Sequence, residues 1–466
     1  MVKNGYDNLI GQRLLKNIKK FMVKVLTNKF NYFRNLKFVR DVFTLQVGSF
    51  FGTAIALVAS VIFARVLGAE VYGNYALIFA FTALVGIFMD WGIGYATITL
   101  LSEAYANGNK DEVKDILTYF LKVSLISVLT VGFLAIILAP WLTNILYHQP
   151  QIGNLARLIL IAVIIRTFFS LLVIMLQVLR KIRYLTVVEN INKLFLNLIP
   201  AIFVLLGLGL WGIVWGHLLT TIVFMFFSLW VYFHFSRRNK LVPSLVEIYK
   251  NFSKVKVSKY FKFGFTIAVD KNIANSFAIL PLIFLGFLGT PEQVANLKIA
   301  IAYLTLPKIF LGPIARLLQV QLPKAKAASA RDLKSNFYKS SFYTGIIFII
   351  LTLGFLVIAS VLIKFLYGRE FIPSINLVYV LSLSTIMAGF AVGYSSLYRT
   401  MNKMKTVIAA NVTNLVSGLA LFIFILQFMS PLKSVITLII YWALFSLVVN
   451  FFLLRNQLNK IQQKAS

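Results

Sequence analysis

Long apolar runs alternate with short polar connections from residue 42 to residue 454. Each run has about 20 or more residues, the length that crosses the hydrocarbon of a bilayer at the 1.5 Å rise of an α-helix. Because the bilayer interior holds no water, each run must pair its own backbone N–H and C=O groups, which favours helices throughout. We therefore predict twelve membrane-crossing helices: 42–64, 75–97, 116–139, 155–179, 186–206, 211–235, 261–288, 294–319, 342–366, 374–397, 406–428 and 435–454.

One long basic connection divides these helices into two sets of six. Residues 236–260 are rich in Lys, Arg and Ser, so we interpret them as a cytoplasmic linker between an N-terminal bundle, 42–235, and a C-terminal bundle, 261–455. Segment 1–41 carries ten Lys or Arg among apolar residues at helical spacing, which predicts an amphipathic helix on the cytoplasmic membrane surface. Residues 456–466 form a cytoplasmic tail.

The composition supports a polytopic membrane protein and excludes several other classes. Of the 466 residues, 59% are hydrophobic and only 13% are charged. The formal net charge is +32, but the Lys and Arg residues lie between apolar runs rather than on one soluble face, which argues against nucleic acid as a partner. Cysteine is absent, and the three histidines have no metal-ligand spacing, so we expect no metal site.

Loop charge predicts the orientation of the chain. Most basic residues lie on one set of connections, which includes the N-terminal segment, the linker and the C-terminal tail. The opposite connections hold little beyond Arg65, Lys364, Arg369 and Lys433. By the positive-inside rule, both termini are predicted to be cytoplasmic.

An internal repeat relates the two halves. Three segments of the first half recur in the same order about 220 residues later: 67–74 with 288–296, 139–147 with 359–367, and 189–194 with 410–415. With six helices in each half, both halves start on the same side of the membrane, so the repeats are parallel. Such halves hold their substrate between them near the bilayer midplane, which favours a transporter.

Four short motifs carry a resemblance to a known family. They are Phe63–Tyr75 (FARVLGAEVYGNY), Met89–Gly94 (MDWGIG), the basic turn Arg180–Arg183 (RKIR) and Leu366–Phe371 (LYGREF). Together they resemble the Wzx-type oligosaccharide flippases of the multidrug/oligosaccharidyl-lipid/polysaccharide (MOP) exporter superfamily, over about residues 40–455.

The resemblance implies a fold and a function. It implies an all-α protein whose two pseudo-symmetric six-helix bundles form a V in the bacterial inner membrane. It further implies alternating-access translocation of an oligosaccharide linked to an undecaprenyl-type pyrophosphate, for cell-surface polysaccharide synthesis. Membrane lipids and other polysaccharide-assembly proteins are the implied partners, a proton or a sodium ion is the implied coupling species, and no cofactor is expected.

Ionisable residues inside the spans indicate candidate sites, because charge at mid-span costs about 2.5–3.5 kcal/mol even on translocon scales. In the fourth span, Arg166, Ser170 and Gln177 fall on one helical stripe, which predicts cavity lining; the alternative is a polar packing contact. Lys122, Arg157 and Arg316 lie nearer the predicted span ends, where we expect them to snorkel to the interface.

Further candidates lie on the fifth, seventh and eighth spans. We predict that Lys193, Lys271, Asn275 and Lys308 line the same cavity, which would then attract an anion such as pyrophosphate. Ion-coupling candidates are the acidic residues inside the spans: Asp90, Glu189 and Asp270. Glu189 and Lys193 are four residues apart, so they are equally compatible with an ion pair within one helix.

Three functional classes remain open. The flippase fits the repeat, the motifs and the excess of basic residues. A multidrug or cation antiporter, or a lipid II-type flippase of the same superfamily, is the first alternative, although an antiporter should carry more unpaired carboxylates and the lipid II flippase usually has two more spans. A membrane polymerase or ligase is the second, but no nucleophile–base pair or phosphate-binding loop is apparent, so we predict no enzymatic activity.

Overall fold

A computed structural model describes residues 37–89 and 93–465, and these residues form helices and short connections without a β-strand. Residues 1–36 of the predicted surface helix, and the coupling candidate Asp90, lie outside the described residues. The helices are α1 (Lys37–Met89), α2 (Ile93–Ala106), α3 (Lys110–Tyr147), α4 (Pro150–Val178), α5 (Ile182–Leu205), α6 (Gly209–Arg238), α7 (Leu245–Asn251), α8 (Ser258–Leu288), α9 (Pro291–Lys308), α10 (Leu311–Ala328), α11 (Ala330–Tyr367), a 3-10 turn (Arg369–Phe371), α12 (Pro373–Ala391), α13 (Tyr394–Thr400), α14 (Met404–Ile425) and α15 (Pro431–Ala465).

The predicted number of spans is confirmed. Ten described helices are long and apolar enough to cross a membrane, and the pair α9 and α10 passes the same test as one bent span. Helix α1 is two helices that meet at Gly68, and each of them, 46–67 and 69–89, has the length of one span. With α1 counted as two spans, the described helices correspond to the twelve that the hydrophobic pattern predicts.

Two predicted loops are instead mostly helical. Residues 65–74 continue the helix except at Gly68, whose φ of 75° and ψ of 173° turn the chain back on itself. Only glycine adopts that conformation at low cost, so a single residue replaces the predicted turn. Most of the predicted loop 140–153 is also helical, because α3 continues through Pro140 to Tyr147 and α4 begins at Pro150. Only residues 148 and 149 connect the two helices.

The eighth span is broken rather than continuous. Helices α9 and α10 meet at 49°, and the break falls between Lys308 and Leu311. Pro307 precedes the break and Pro313 follows it, and proline lacks the N–H that an unbroken helix requires. Gln46 Nε2 of α1 donates to the Ile309 carbonyl at 3.2 Å, which satisfies a backbone group at the break.

The linker packs against the N-terminal bundle. Its helix α7 begins with a capping box between Ser244 and Glu247. Glu247 also pairs with Lys110 of α3 at 3.1 Å, and the Ser244 backbone N–H and the Lys110 ammonium together lower the pKa of this carboxyl. Lys122 donates to the carbonyls of Phe252 and Val255, so its side chain binds the linker instead of snorkelling.

The two bundles meet at one end, which we call the closed end: residues 65–74 of α1 against residues 286–296 and 365–371. The repeat segments 67–74 and 288–296 touch there, and a Cβ built on Gly73 would lie 1.9 Å from the Pro291 oxygen. Arg65 Nε donates to the Leu366 carbonyl at 2.6 Å, and the Ala69 N–H donates to Glu370 Oε2 at 2.9 Å. The closed end therefore joins the halves through backbone contact and hydrogen bonds.

Candidate substrate cavity

A cavity of about 850 Å³ lies between the two bundles. Most of its wall comes from α1 to α5 of the N-terminal bundle, while Lys271 of α8 and Arg316 of α10 reach it from the C-terminal bundle. The charged residues on its wall are Arg166, Glu189, Lys271 and Arg316, and the uncharged polar residues are Ser124, Thr167, Ser170 and Gln177.

The predicted stripe on the fourth span lines this cavity. Arg166 is exposed although it lies in the middle of α4, between buried neighbours such as Thr167 and Leu171. Ser170 Oγ donates to the Arg166 carbonyl at 3.3 Å, and Gln177 is exposed about two turns after Ser170. The helical period places these polar groups on one face, while the opposite faces of α4 pack into the core.

Cations predominate on this wall. Its described residues include three cations and one carboxylate, Glu189, for a formal charge of +2. Arg316 Nη1 is buried and has no hydrogen-bond partner among the described residues. A buried guanidinium nitrogen without an acceptor is costly, and an anionic group of a ligand would satisfy it.

The predicted position of Arg316 at the membrane interface is wrong. Measured along a straight eighth span it lies near the interface, where we expected it to snorkel. The break before Leu311 redirects α10, and Arg316 lines the cavity instead. The flanking prolines, Pro307 and Pro313, were the available signal that the span is not straight.

Three predicted cavity residues lie elsewhere in the described structure. Lys193 of α5 approaches Gly52 of α1, where an added Cβ would meet the lysine Cδ at 2.8 Å. Lys308 ends α9 at the break, and Asn275 is exposed on α8. None of the three lines the cavity wall as the structure describes it.

The two described ion-coupling candidates lie in different bundles. Glu189 lines the cavity on α5. Asp270 of α8 accepts a hydrogen bond from Asn411 of α14 at 3.5 Å, and it is half-buried within the C-terminal bundle. The neighbouring Lys271 faces the cavity, so adjacent residues of one helix serve two environments, as their separation of about 100° predicts.

A second, smaller cavity adjoins the first inside the N-terminal bundle. Its volume is about 330 Å³, and it shares Arg166 with the main cavity. His217 lines it, with its Nδ1 3.0 Å from the Ile213 carbonyl and its ring 4.9 Å from that of Phe79. His217 is one of the three histidines whose spacing predicts no metal site, and nothing in the local sequence pattern indicated that it lies near Arg166.

The sequence profile of the polysaccharide biosynthesis protein family matches residues 38–319, more than half of the chain. No curated protein sequence matches significantly.

Solved structures share the fold of about nine-tenths of the chain. A multidrug resistance MATE family transporter of the MOP superfamily, in an inward-facing conformation, superposes with a TM-score of 0.75 at 14% identity, covering 89% of this chain and 96% of the transporter. The lipid II flippase MurJ, in an inward closed conformation, gives 0.67 at 17% identity, covering 90% of each chain. An outward-facing MATE transporter gives 0.64 at 15% identity, covering 91% of this chain and 97% of the other. At such identities the superpositions establish the fold alone, which is the two-bundle fold that the sequence predicts.

Proposed function

The chain belongs to the polysaccharide biosynthesis protein family, and on that premise we propose that it is a flippase that moves an oligosaccharide linked to a polyprenyl pyrophosphate across a membrane. This is also the function that the sequence resemblance to Wzx-type flippases implies.

The observation that carries the proposal is the charge of the cavity wall. Arg166, Lys271 and Arg316 come from three different helices and both bundles, and they outnumber Glu189. A pyrophosphate offers several acceptor oxygens, which suit the paired N–H donors of two guanidinium groups and the point charge of one ammonium. A cavity built for a cationic drug should carry the opposite excess.

The closed end suits an alternating-access cycle. Contacts between the bundles at residues 65–74 close one side of the cavity, while the cavity wall is drawn from both bundles. Rocking the bundles about the cavity would break the closed end and expose the same cations to the other side. The sugar and pyrophosphate would cross in the cavity, and the prenyl chain would remain in lipid.

A flipping assay with purified protein tests the proposed function. Vesicles of phosphatidylcholine would contain the protein and a polyprenyl-pyrophosphate disaccharide, and an impermeant glycosidase would report the fraction of sugar in the outer leaflet. We expect the protein to accelerate complete digestion. Without the protein, digestion should stop at the outer-leaflet fraction. If digestion stops at the same fraction with the protein, the proposal is contradicted.

A multidrug or cation antiporter is the second candidate. It is favoured by Glu189, a carboxylate on the cavity wall beside the cations. The same vesicles distinguish the two functions, because an antiporter should expel a cationic dye when a proton or sodium gradient is imposed. Dye transport without sugar transport would select this alternative.

We further propose that the protein lies in the cytoplasmic membrane with both termini in the cytoplasm, beside other polysaccharide-assembly proteins. Because the chain has no cysteine, single introduced cysteines report sidedness without background. We expect Thr290→Cys to react with an impermeant maleimide in intact cells, whereas Ser253→Cys should react only after permeabilisation. Labelling of Ser253→Cys in intact cells would reverse the proposed orientation.

Asp270 is proposed as the coupling carboxylate, because its contact is an amide, Asn411, which would also suit a bound cation. Asp270→Asn keeps the size and removes the charge. We expect the variant to bind substrate but to lose its response to imposed proton or sodium gradients in the vesicle assay. Lys271→Gln is the matched neighbour and should weaken substrate binding with the gradient response retained. An unchanged gradient response in Asp270→Asn would exclude a coupling role for this residue.

A further inference from the structure

An open apolar groove of about 680 Å³ lies on the surface of the C-terminal bundle. It is formed by α11, α12, α13 and α15 where α12 and α13 break apart. Its wall is aromatic: Phe342 is 58% exposed, Tyr343 is 62% exposed and Phe452 is 58% exposed. The groove shares no lining residue with the central cavity.

The side chains that form the floor of the groove are packed against one another. The rings of Tyr338 and Phe451 lie 5.9 Å apart, which links α11 to α15. Tyr394 of α13 is almost fully buried and donates its hydroxyl to the Leu447 carbonyl at 3.3 Å. Its polar atom is thereby turned into the protein, and the groove presents hydrocarbon and ring surface to its occupant.

A basic pocket of about 510 Å³ adjoins the groove. Lys339 lines both cavities, and Lys324 of α10 also lines the pocket. The single carboxylate of the pocket, Asp332, is hydrogen-bonded to the Ser329 hydroxyl at 2.8 Å in the N-cap of α11. The two lysines therefore give the pocket a positive charge beside an apolar groove.

This juxtaposition matches a lipid with an anionic head. A lysine near a membrane surface attracts an anionic head group, and burial of the methylene groups of a lipid chain in apolar surroundings adds to the affinity. Helix α10 connects the pocket to the central cavity, because Lys324 lies eight residues, about 12 Å, from the cavity residue Arg316. A head group bound by Lys324 would therefore lie close to the cations of the cavity.

We propose that the groove and the basic pocket form a loading site for a long-chain prenyl pyrophosphate, with the chain in the groove and the pyrophosphate between Lys324 and Lys339. The inference rests on the proposed function, since it assigns the site to the same lipid that the cavity would carry.

Photocrosslinking tests the site directly. The probe is a C55 prenyl pyrophosphate with a benzophenone in its chain, mixed at trace level into phosphatidylcholine vesicles that contain the full-length protein. We expect labelled peptides from residues 338–343 and 447–452. Val448→Trp should fill the groove and lower this labelling about tenfold, the effect of expelling two methylene groups. Val357→Trp is the matched control, because Val357 is 81% exposed on α11 and lies outside the groove.

Two probes that differ only in the head group test the basic pocket. Lys339→Gln and Lys324→Gln should each lower labelling by the pyrophosphate probe about fivefold and leave labelling by the corresponding prenyl alcohol unchanged. Equal losses for both probes would overturn the assignment of the pocket to the pyrophosphate.

Other occupants give different results, and each would overturn the proposal. Phosphatidylglycerol that displaces the probe as well as unlabelled prenyl pyrophosphate does would indicate a general site for anionic lipids. Efficient disulfide-linked dimers of Val448→Cys would indicate that a second copy of the chain covers the groove.

Flipping measurements separate this inference from the proposed function. We expect Val448→Trp to slow flipping at low substrate concentration, and Arg166→Ala to keep groove labelling while losing transport. If Val448→Trp loses labelling but flips at the normal rate, the loading role is wrong and the flippase stands. If the wild-type protein flips nothing, the proposed function fails, whatever the labelling of the groove.

Discussion

Arg166→Ala is expected to abolish export of the lipid-linked oligosaccharide without loss of membrane insertion. The guanidinium lies at mid-span on the cavity wall, where it would bind the pyrophosphate through paired hydrogen bonds. Hydrogen bonds to charged groups contribute about 1.5–3 kcal/mol each, so the loss of two should slow transport by at least about 100-fold. The vesicle assay with the glycosidase measures this rate.

Two further variants make the Arg166 result specific. Arg166→Lys retains the charge but loses the paired geometry, so we expect partial transport. Lys405→Ala removes an exposed cation outside the cavity wall and should transport at the normal rate. Normal transport by Arg166→Ala, with normal protein level, would remove this residue from the mechanism.

Gly73→Ala is expected to hold the closed end open. The added Cβ would lie 1.9 Å from the Pro291 oxygen and 2.4 Å from its carbonyl carbon, so backbone of the opposite bundle would have to move. Overpacking of this kind costs about 1–3 kcal/mol, which shifts the equilibrium between the two states by at least about fivefold. Export should fall because the closed state, which the cycle requires, is less populated.

Accessibility of a buried cysteine measures this shift. Ala295 is fully buried on α9 near the closed end, so Ala295→Cys should react slowly with an impermeant maleimide in the wild-type background and at least about fivefold faster with Gly73→Ala. Gly354→Ala is the matched control, because an added Cβ there has nothing within 4 Å. Equal labelling rates and normal export in Gly73→Ala would contradict the prediction that close contact at Gly73 stabilises the closed end.

The closed end also explains two motifs that the resemblance rests on. Arg65, within the segment 63–75, donates to the carbonyls of Phe365 and Leu366, and Glu370 of LYGREF accepts from the Ala69 N–H. The motifs lie about 300 residues apart in the chain and meet where the bundles touch. In this conformation they therefore hold the bundles together, and neither lines the cavity.

Hydrophobic length alone determined the twelve crossings, because each span must satisfy its backbone independently of its neighbours. The stripe of Arg166, Ser170 and Gln177 was also predictable, since the helical period is a local property and fixes which residues share a face. The short turn at Gly68 was harder to predict. Polar residues such as Glu70 and Asn74 suggested a loop, yet the chain remains helical on both sides of one glycine.

Only the tertiary structure decided which polar faces meet. Lys193 and Lys271 are equally plausible from their depth, but packing turns Lys271 to the cavity and places Lys193 beside α1. Arg316 reaches the cavity because α10 bends by 49° from α9, and that angle depends on contacts with other helices as well as on the prolines. A sequence fixes the face of a helix on which a side chain lies, whereas the rotation, bend and neighbours of that helix are set by packing across the whole protein.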